Sequence, residues 1–216
     1  SFIVASNPNE FTQGLKAALG EIVRRTGTGG NLAANSSSLT SDTHVYQATF
    51  VSGVWTGEMK AVPVTSTGVD TTAPTWRSSI PSTGRNIRTW SGSTGAAFPT
   101  SAQQTALTRA GTATAAAVTG ADNAAYIAGN QDLELNRTNG YLRTRSTLLG
   151  DIVNSSPAYD SVSGTIYVGA NDGMMHAFDA SNGVERFAYV PGSLNFTDLA
   201  TLSAPDYDHR FFVDGP

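Results

Sequence analysis

Few side chains in this sequence could carry out chemistry, because it contains three histidines and no cysteine. Asp206, Asp208 and His209 stand close enough to share an ion. However, they include no glycine turn and offer fewer than the roughly six to eight oxygens that Ca²⁺ takes, so we interpret them as a solvated polar loop. His44 and His176 lack a second histidine or carboxylate at the spacing of metal ligands. The sequence therefore predicts no metal site.

Motifs for catalysis are also missing from the sequence. There is no G-x-S-x-G elbow, and the glycines of residues 27–30 lack the spacing and the following helix of a phosphate loop. Asp160, Ser161 and Ser163 have the wrong spacing for a metal-adhesion signature and suit a turn better. His176 falls inside a predicted strand, where a packed or hydrogen-bonded role is expected. We assign no catalytic and no cofactor-binding residue.

Composition excludes two further classes of function. Only 14% of the residues are charged, the formal net charge is −4, and Lys16 and Lys60 are the only lysines, so no phosphate-neutralising surface for nucleic acid is expected. No apolar run approaches the roughly 20 residues that span a bilayer. The 39% of hydrophobic residues still suffices for a packed core.

The clearest structural element is the stretch 149–187, which predicts one four-stranded blade of a β-propeller. Compact turns rich in Gly, Asn, Asp and Ser separate short apolar runs, as tight hairpins require. Apolar residues occupy both faces of the second and third strands, which suits a sheet packed between two neighbours. The predicted strands are 155–160, 165–170, 174–179 and 184–190, and the predicted turns are 161–164, 171–173 and 181–183.

A group of blade residues that we call the blade motif is predicted to have structural roles. Its glycines provide positive φ angles or close approach at strand ends, and its Asp and Asn side chains accept hydrogen bonds from the backbone of the turns. The motif comprises Gly150, Asp151, Pro157, Gly169, Asn171, Asp172, Gly173, Asp179 and Gly183.

Other parts of the chain predict smaller elements. Residues 1–27 predict a strand followed by an amphipathic helix, and residues 44–62 predict a hairpin turning at Ser52 and Gly53. The Ser/Thr/Ala-rich stretch 64–125 predicts a surface excursion, with partial disorder as the alternative. Its expected anchors are Trp76, Ile87, Trp90 and Phe98, and a short helix is expected near residues 122–129.

Several motifs resemble known families. The run IYVGANDGMMHAFDASNG resembles the repeat of quinone-type propellers, although Phe187 stands where that repeat usually carries a tryptophan. The wider series is similar to the PilC/PilY family of type IV pilus tip proteins. Its motifs are SNPNEF at 6–11, RTGT at 25–28, VYQATF at 45–50, LGDIVNSSP at 149–157, VPG at 190–192 and RFFVDG at 210–215.

This resemblance implies a mainly β fold, a partial and modified β-propeller preceded by a strand–helix remnant of an α/β von Willebrand A-like domain. It divides the chain into the end of that domain (1–30), a region of linker, hairpin and excursion (31–150), and the first clear blade with the start of the next (151–216). Both ends appear cut from a longer polypeptide. With so few strands, the blade is expected to need cover on its apolar faces from the rest of the propeller or from a second chain.

The function that the resemblance implies is non-enzymatic. It comprises pilus assembly, opposition to retraction, twitching motility and adhesion, at the pilus tip or outer surface of a Gram-negative bacterium after export through the periplasm. Expected partners are minor pilins, the remainder of the propeller and host or surface ligands. The calcium loop of the family would lie beyond Pro216. The alternatives are a periplasmic quinone-dependent dehydrogenase and an outer-membrane assembly scaffold.

Overall fold

The computed structural model describes residues 32–34, 44–65 and 68–215. The predicted mainly β fold is confirmed, and the strands of these residues form two open sheets. The strand and helix predicted for residues 1–27 lie outside the described residues.

The strands are β1 (Leu32–Ala34), β2 (His44–Val51), β3 (Thr56–Thr65), β4 (Gly68–Val69), β5 (Trp76–Arg77), β6 (Ile87–Trp90), β7 (Gly95–Ala97), β8 (Ala158–Asp160), β9 (Thr165–Gly169), β10 (Met175–Asp179) and β11 (Glu185–Val190). The helices are α1 (Ser101–Ala106), α2 (Gly120–Ile127) and α3 (Phe196–Leu199), and a 3₁₀ turn (Ala200–Ser203) follows α3.

The hairpin predicted between residues 44 and 62 is present as β2 and β3. Val51 faces Thr56 across the turn, and Tyr46, Ala48 and Met59 are buried. These strands belong to a five-stranded sheet in the order β1-β2-β3-β4, with β5 also pairing with β3.

The predicted blade is also present, as the continuous antiparallel set β8-β9-β10-β11. Its second turn contains Gly173 and its third contains Gly183, both at positive φ. A Cβ atom at Gly183 would lie 2.4 Å from the ring of Trp76, so glycine is required there for packing as well as for the turn.

The blade sheet is wider than the sequence predicts, because β6 adds to β11 in parallel and β7 adds to β6. The prediction of a surface excursion for residues 64–125 is therefore wrong for this part. Ile87 and Thr89 point into the protein, whereas Trp90, an expected anchor, is 47% exposed. Of the other expected anchors, Trp76 is buried and Phe98 is partly buried against the core.

Two short helices occur in or beside the same region, each begun by a threonine. Thr100 and Gln103 form a reciprocal capping box at α1. Thr119 accepts a hydrogen bond from the backbone of Asp122 and begins α2, which is the helix predicted near residues 122–129. Asn123 of α2 is fully buried and donates to the carbonyls of Leu107 and Ala200, so this helix is fixed to α1 and to the 3₁₀ turn.

Strand register divides the six-stranded sheet into an inner and an outer face. His176 lies opposite Val168 on one side and Ala188 on the other, so these three side chains share a face. This inner face is covered by two apolar clusters formed from the chain itself. One cluster includes Ile87, Leu107, Val118, Tyr126, Leu142, Ala188, Val190 and Leu199, and the other includes Tyr46, Met59, Trp76, Ile152, Ile166, Val168 and Phe178.

The outer face of the same sheet carries Tyr167, Met175, Phe187 and Tyr189, all half-buried, beside the buried Ala177. Tyr167 and Phe187 meet edge to face with ring centroids 6.3 Å apart. The expectation that both blade faces need cover from outside the chain is therefore wrong for the inner face, and for the outer face it stays a prediction. Among the described residues, no helix has the length and apolar character required to cross a bilayer.

Residues 107–142 should contribute measurably to stability if they form core. Leu142 is 1% exposed and Leu135 is 55% exposed on the same loop. We expect Leu142→Ala to lower the free energy of unfolding by about 2–5 kcal/mol, because it removes buried methyl groups and leaves a cavity. The matched change Leu135→Ala should stay within about 0.5 kcal/mol of the unmodified chain. Urea unfolding followed by circular dichroism measures both, and equal effects would contradict the assigned core.

Candidate functional site

The middle of the inner face holds a cluster of four charged side chains, which we call the inner-face ion cluster: Arg85, Asp172, His176 and Glu185. Three of these side chains are buried, and that of Asp172 is 17% exposed. His176 is fully buried, with Nδ1 2.7 Å from Glu185 Oε1 and Nε2 3.0 Å from Asp172 Oδ2. Arg85 donates to Glu185 through Nε and Nη2, each at 2.7 Å. The cluster is therefore a continuous chain of ion pairs in which both carboxylates flank one imidazole.

Asp172 is fixed by the turn between β9 and β10. Its carboxylate accepts hydrogen bonds from the backbone of Gly150 at 2.9 Å and of Met174 at 3.1 Å, besides its contact with His176. A Cβ atom at Gly150 would lie 2.4 Å from the backbone nitrogen of Asp172. Only glycine allows this approach, so Gly150 positions the carboxylate that faces His176.

The pKa values of the cluster follow from burial opposed by close opposite charges. Burial alone would lower the pKa of His176, but the charge of Asp172 and the hydrogen bonds to Asp172 and Glu185 outweigh it and raise that pKa to about 9. Burial would raise the pKa of Glu185, but the hydrogen bonds from His176 and Arg85 outweigh it and lower that pKa to about 2. Near neutral pH the cluster then holds two positive and two negative charges.

A second polar group joins the start of the blade to the last described residues. Asp214 accepts backbone hydrogen bonds from Val153 at 3.0 Å, Asn154 at 2.9 Å and Ser155 at 2.7 Å. Three successive N–H groups aimed at one carboxylate form a nest for an anion, and here the protein fills it with its own side chain.

His209 belongs to the same junction. Its Nε2 atom lies 2.7 Å from Asp151 Oδ2, and its ring stacks on Trp55 with centroids 3.9 Å apart. Asn171 donates to the same Asp151 oxygen at 2.8 Å and accepts from the backbone of Phe212 at 3.0 Å. The predicted polar loop therefore contributes a packed histidine, because the chain folds back over the blade at this point.

The remaining residues of the blade motif lie at strand ends and turns. Pro157 is buried just before β8, and a Cβ atom at Gly169 would lie 2.1 Å from the carbonyl oxygen of Val213. Asp179 accepts hydrogen bonds from the Ser181 hydroxyl at 2.6 Å, from Arg186 at 2.8 Å and from the backbone of Ser181 at 2.8 Å, and these bonds lower its pKa to about 2. The structure thus brings Gly150, Asp151, Asn171 and Asp172 together and leaves Asp179 and Gly183 in a separate turn.

Some polar residues of the protein interior carry no sequence signal that identifies them. Arg85 lies in a Ser/Thr-rich stretch, 100 residues from its partner Glu185. Arg145 pairs with the fully buried Glu134 at 2.8 Å and lies over the ring of Tyr126 at 3.6 Å. The only available signal is that charged residues are rare in this chain, which makes each arginine a candidate for a structural pair.

The cavity beside these polar groups offers little room for a substrate. Asp206, of the trio considered for an ion, accepts a hydrogen bond from Thr114 instead, and no three His, Asp or Glu side chains of the described part of the chain converge as metal ligands. The cavity beside Asp151, Asn171 and Asp172 has a volume of about 20 Å³, which is room for about one water. These polar groups therefore act on one another, as a structural network.

The cluster predicts how stability depends on pH. Because the pKa of His176 is raised to about 9 from 6.5, its contribution is complete below pH 6.5 and is lost as the pH rises through 9. The unmodified chain should lose about 3 kcal/mol more than His176→Gln between about pH 6 and pH 10, since the neutral side chain cannot titrate. On the acid side, the contribution of Glu185 is complete above pH 4.5 and is lost as the pH falls through 2.

Urea unfolding across this pH range measures the alkaline loss. The control is Leu135→Ala, at an exposed side chain that does not titrate, which should keep the profile of the unmodified chain. A His176→Gln profile parallel to that of the unmodified chain would contradict a charged, paired His176.

Comparison with known proteins gives matches along the whole chain. A "Type IV pilus biogenesis factor PilY1 homolog" of Xylella fastidiosa is 32% identical over 244 aligned positions, which cover 100% of this chain and 19% of that protein. A second match to a Xylella fastidiosa protein of that name is 56% identical over 50 residues, 23% of this chain and 3% of the relative. No family model matches the chain, and no solved structure matches it significantly.

The "Type IV pilus biogenesis factor PilY1" of Pseudomonas aeruginosa strain PAK is 36% identical over 126 residues, 44% of this chain and 10% of that protein. The chain thus spans 19% or less of the length of these curated relatives. The resemblance given by the sequence motifs is confirmed, and the chain belongs to the PilC/PilY family as a PilY1-like sequence.

Proposed function

We propose that this chain is a rigid, non-catalytic part of a type IV pilus biogenesis factor. The observation that carries the proposal is its similarity, over its whole length, to a protein with that name. The charged cluster supports it, because Arg85, Asp172, His176 and Glu185 bond to one another, and His176 and Glu185 at its centre are buried.

The proposed mechanism is docking, with no chemical step. A sheet tied across distant segments by buried ion pairs keeps its shape under load, and its loops and edges are the surfaces left to contact minor pilins or a surface ligand. We place the protein at the pilus tip or the outer surface of a Gram-negative cell, where it supports assembly, opposes retraction and contributes to adhesion and twitching motility.

A genetic test distinguishes assembly from opposition to retraction. Deleting the codons for residues 44–215 in frame from the chromosomal gene should abolish surface pili and twitching. If the protein opposes retraction, also removing the retraction motor should restore surface pili. If it is required for assembly, pili should stay absent in both strains. The matched control is Val162→Ala, at a side chain 95% exposed in a turn, which should leave piliation normal. Normal piliation after the deletion would contradict the proposal.

A direct binding experiment with the quinone tests the alternative that the protein is a quinone-dependent dehydrogenase. We expect pyrroloquinoline quinone, titrated with Ca²⁺ into the purified chain, to give no stoichiometric heat of binding and no shift of the quinone absorbance. The reason is that the cavity of about 20 Å³ beside Asp151 and Asp172 is far smaller than the roughly 300–1,000 Å³ of ordinary ligand pockets. A larger open groove of about 540 Å³ begins at Arg88 and Ala97, but no carboxylate of the described residues lines it to hold Ca²⁺. Saturable one-to-one binding would overturn the non-catalytic proposal.

A further inference from the structure

The six-stranded sheet ends at β7 (Gly95–Ala97), whose outer edge pairs with no other strand of the described residues. The register with β6 sets which main-chain groups face that edge. Phe98 N donates to Ile87 O and Ser91 N donates to Thr94 O, so the alternation places the bonded pair between them at Thr89 and Ala96. Gly95 and Ala97 therefore direct their N–H and C=O groups outward, away from β6.

The side chains of this strand do not hinder pairing with another chain. Natural edge strands are commonly protected by shortness, charged side chains, proline or a bulge. β7 consists of Gly95, Ala96 and Ala97, so of these protections it has shortness alone. The opposite edge differs, because β8 lies against β1 of the other sheet and ends at Asp160, whose carboxylate is bonded within its own turn.

The outer face beside the open edge has a specific composition. Arg88 and Trp90 of β6 lie opposite Ala97 and Gly95, and all four are exposed. A strand added to β7 would lie about 10 Å from β6, at twice the spacing of neighbouring strands. Since β7 presents only a hydrogen and a methyl group on this face, the long side chains of Arg88 and Trp90 can contact side chains of the added strand.

Arg88 supplies a positive charge, which favours an added strand that carries acidic side chains. Its Nε donates to Asn86 Oδ1 at 2.8 Å, and its two terminal nitrogens have no partner among the described residues. An open groove of about 540 Å³ begins at Arg88 and Ala97, and it is also lined by Phe98, by residues 82–87, by Ala125 of α2 and by Ala128 just after this helix. This volume lies within the roughly 300–1,000 Å³ range of ligand sites, so it can hold a side chain or the end of an extended segment.

We propose that the outer edge of β7 binds an extended, acidic segment of a partner protein by strand addition. The main chain of Gly95 and Ala97 supplies the hydrogen bonds, Arg88 pairs with a carboxylate, and Trp90 covers an apolar neighbour. The proposal concerns this edge and does not depend on the role in pilus assembly.

Hydrogen exchange on the purified chain tests whether the edge is free. The backbone amides of Gly95 and Ala97 should exchange quickly and that of Ala96 slowly, because only Ala96 donates to β6. Slow exchange of Gly95 and Ala97 in the chain alone would overturn the proposal. In that case, light scattering would show whether a second copy or the chain itself covers the edge.

Selection of random dodecapeptides on the immobilised chain tests the partner chemistry. Enriched peptides should be acidic, should protect the amides of Gly95 and Ala97, and should bind Arg88→Glu at least about tenfold more weakly, a change of about 1.4 kcal/mol. Ala97→Pro should weaken binding similarly, since it removes an outward N–H while the bonds of Ala96 remain.

The matched control is Arg137→Glu, the same charge reversal at an exposed position outside the groove, which should bind as the unmodified chain does. The thermal midpoints of all three variants should stay close to that of the unmodified chain, because neither Arg88 nor Ala97 is buried. Enrichment of non-acidic peptides, or binding unaffected by both Arg88→Glu and Ala97→Pro, would overturn the proposal.

Discussion

The fold depends on pairing four charged groups at the centre of one sheet face, three of them buried and Asp172 partly exposed. Removing a single charge from water is costly unless opposite charges and hydrogen bonds compensate it, and in the inner-face ion cluster two cations meet two carboxylates. The requirement is strict, because an unpartnered member would remain buried and charged. The ion pairs can form only when Arg85, the turn at Asp172 and strands β10 and β11 all take their positions. Distant parts of the chain must therefore fold together.

The blade and the β2–β3 hairpin could be predicted from the sequence because their information is local. Turn residues such as those at 171–173 and 181–183 stand between short apolar runs, and each hairpin closes over a few residues. The ion cluster could be predicted only in part. His176 was expected to be packed, and Asp172 was expected to serve the turn, but their meeting with Glu185 and Arg85 depends on which strands become neighbours.

The region between residues 64 and 125 was misjudged for a related reason. Its strands are two to four residues long, too short for alternation to stand out, and its buried residues are single side chains among Ser, Thr and Ala. The burial of Ile87 and Thr89 is explained only by the parallel pairing of β6 with β11, which joins residues about 100 positions apart. The low charge and low complexity of this segment are typical of a loop, although the segment completes part of the core.

One face of the six-stranded sheet is covered by the core, and the other face is half-exposed. The covered face maintains the fold, and the half-exposed face is available for contacts. On the inner face, the apolar clusters pack against the sheet, and the charged side chains of the ion cluster pair with one another. At the β6–β7 end of the outer face, the described residues form no such network, and Arg88 and Trp90 are exposed beside main-chain groups that face outward. Partner binding as proposed at this edge requires no rearrangement of the fold, because Arg88, Trp90 and the outward main chain of β7 are not used by the ion cluster.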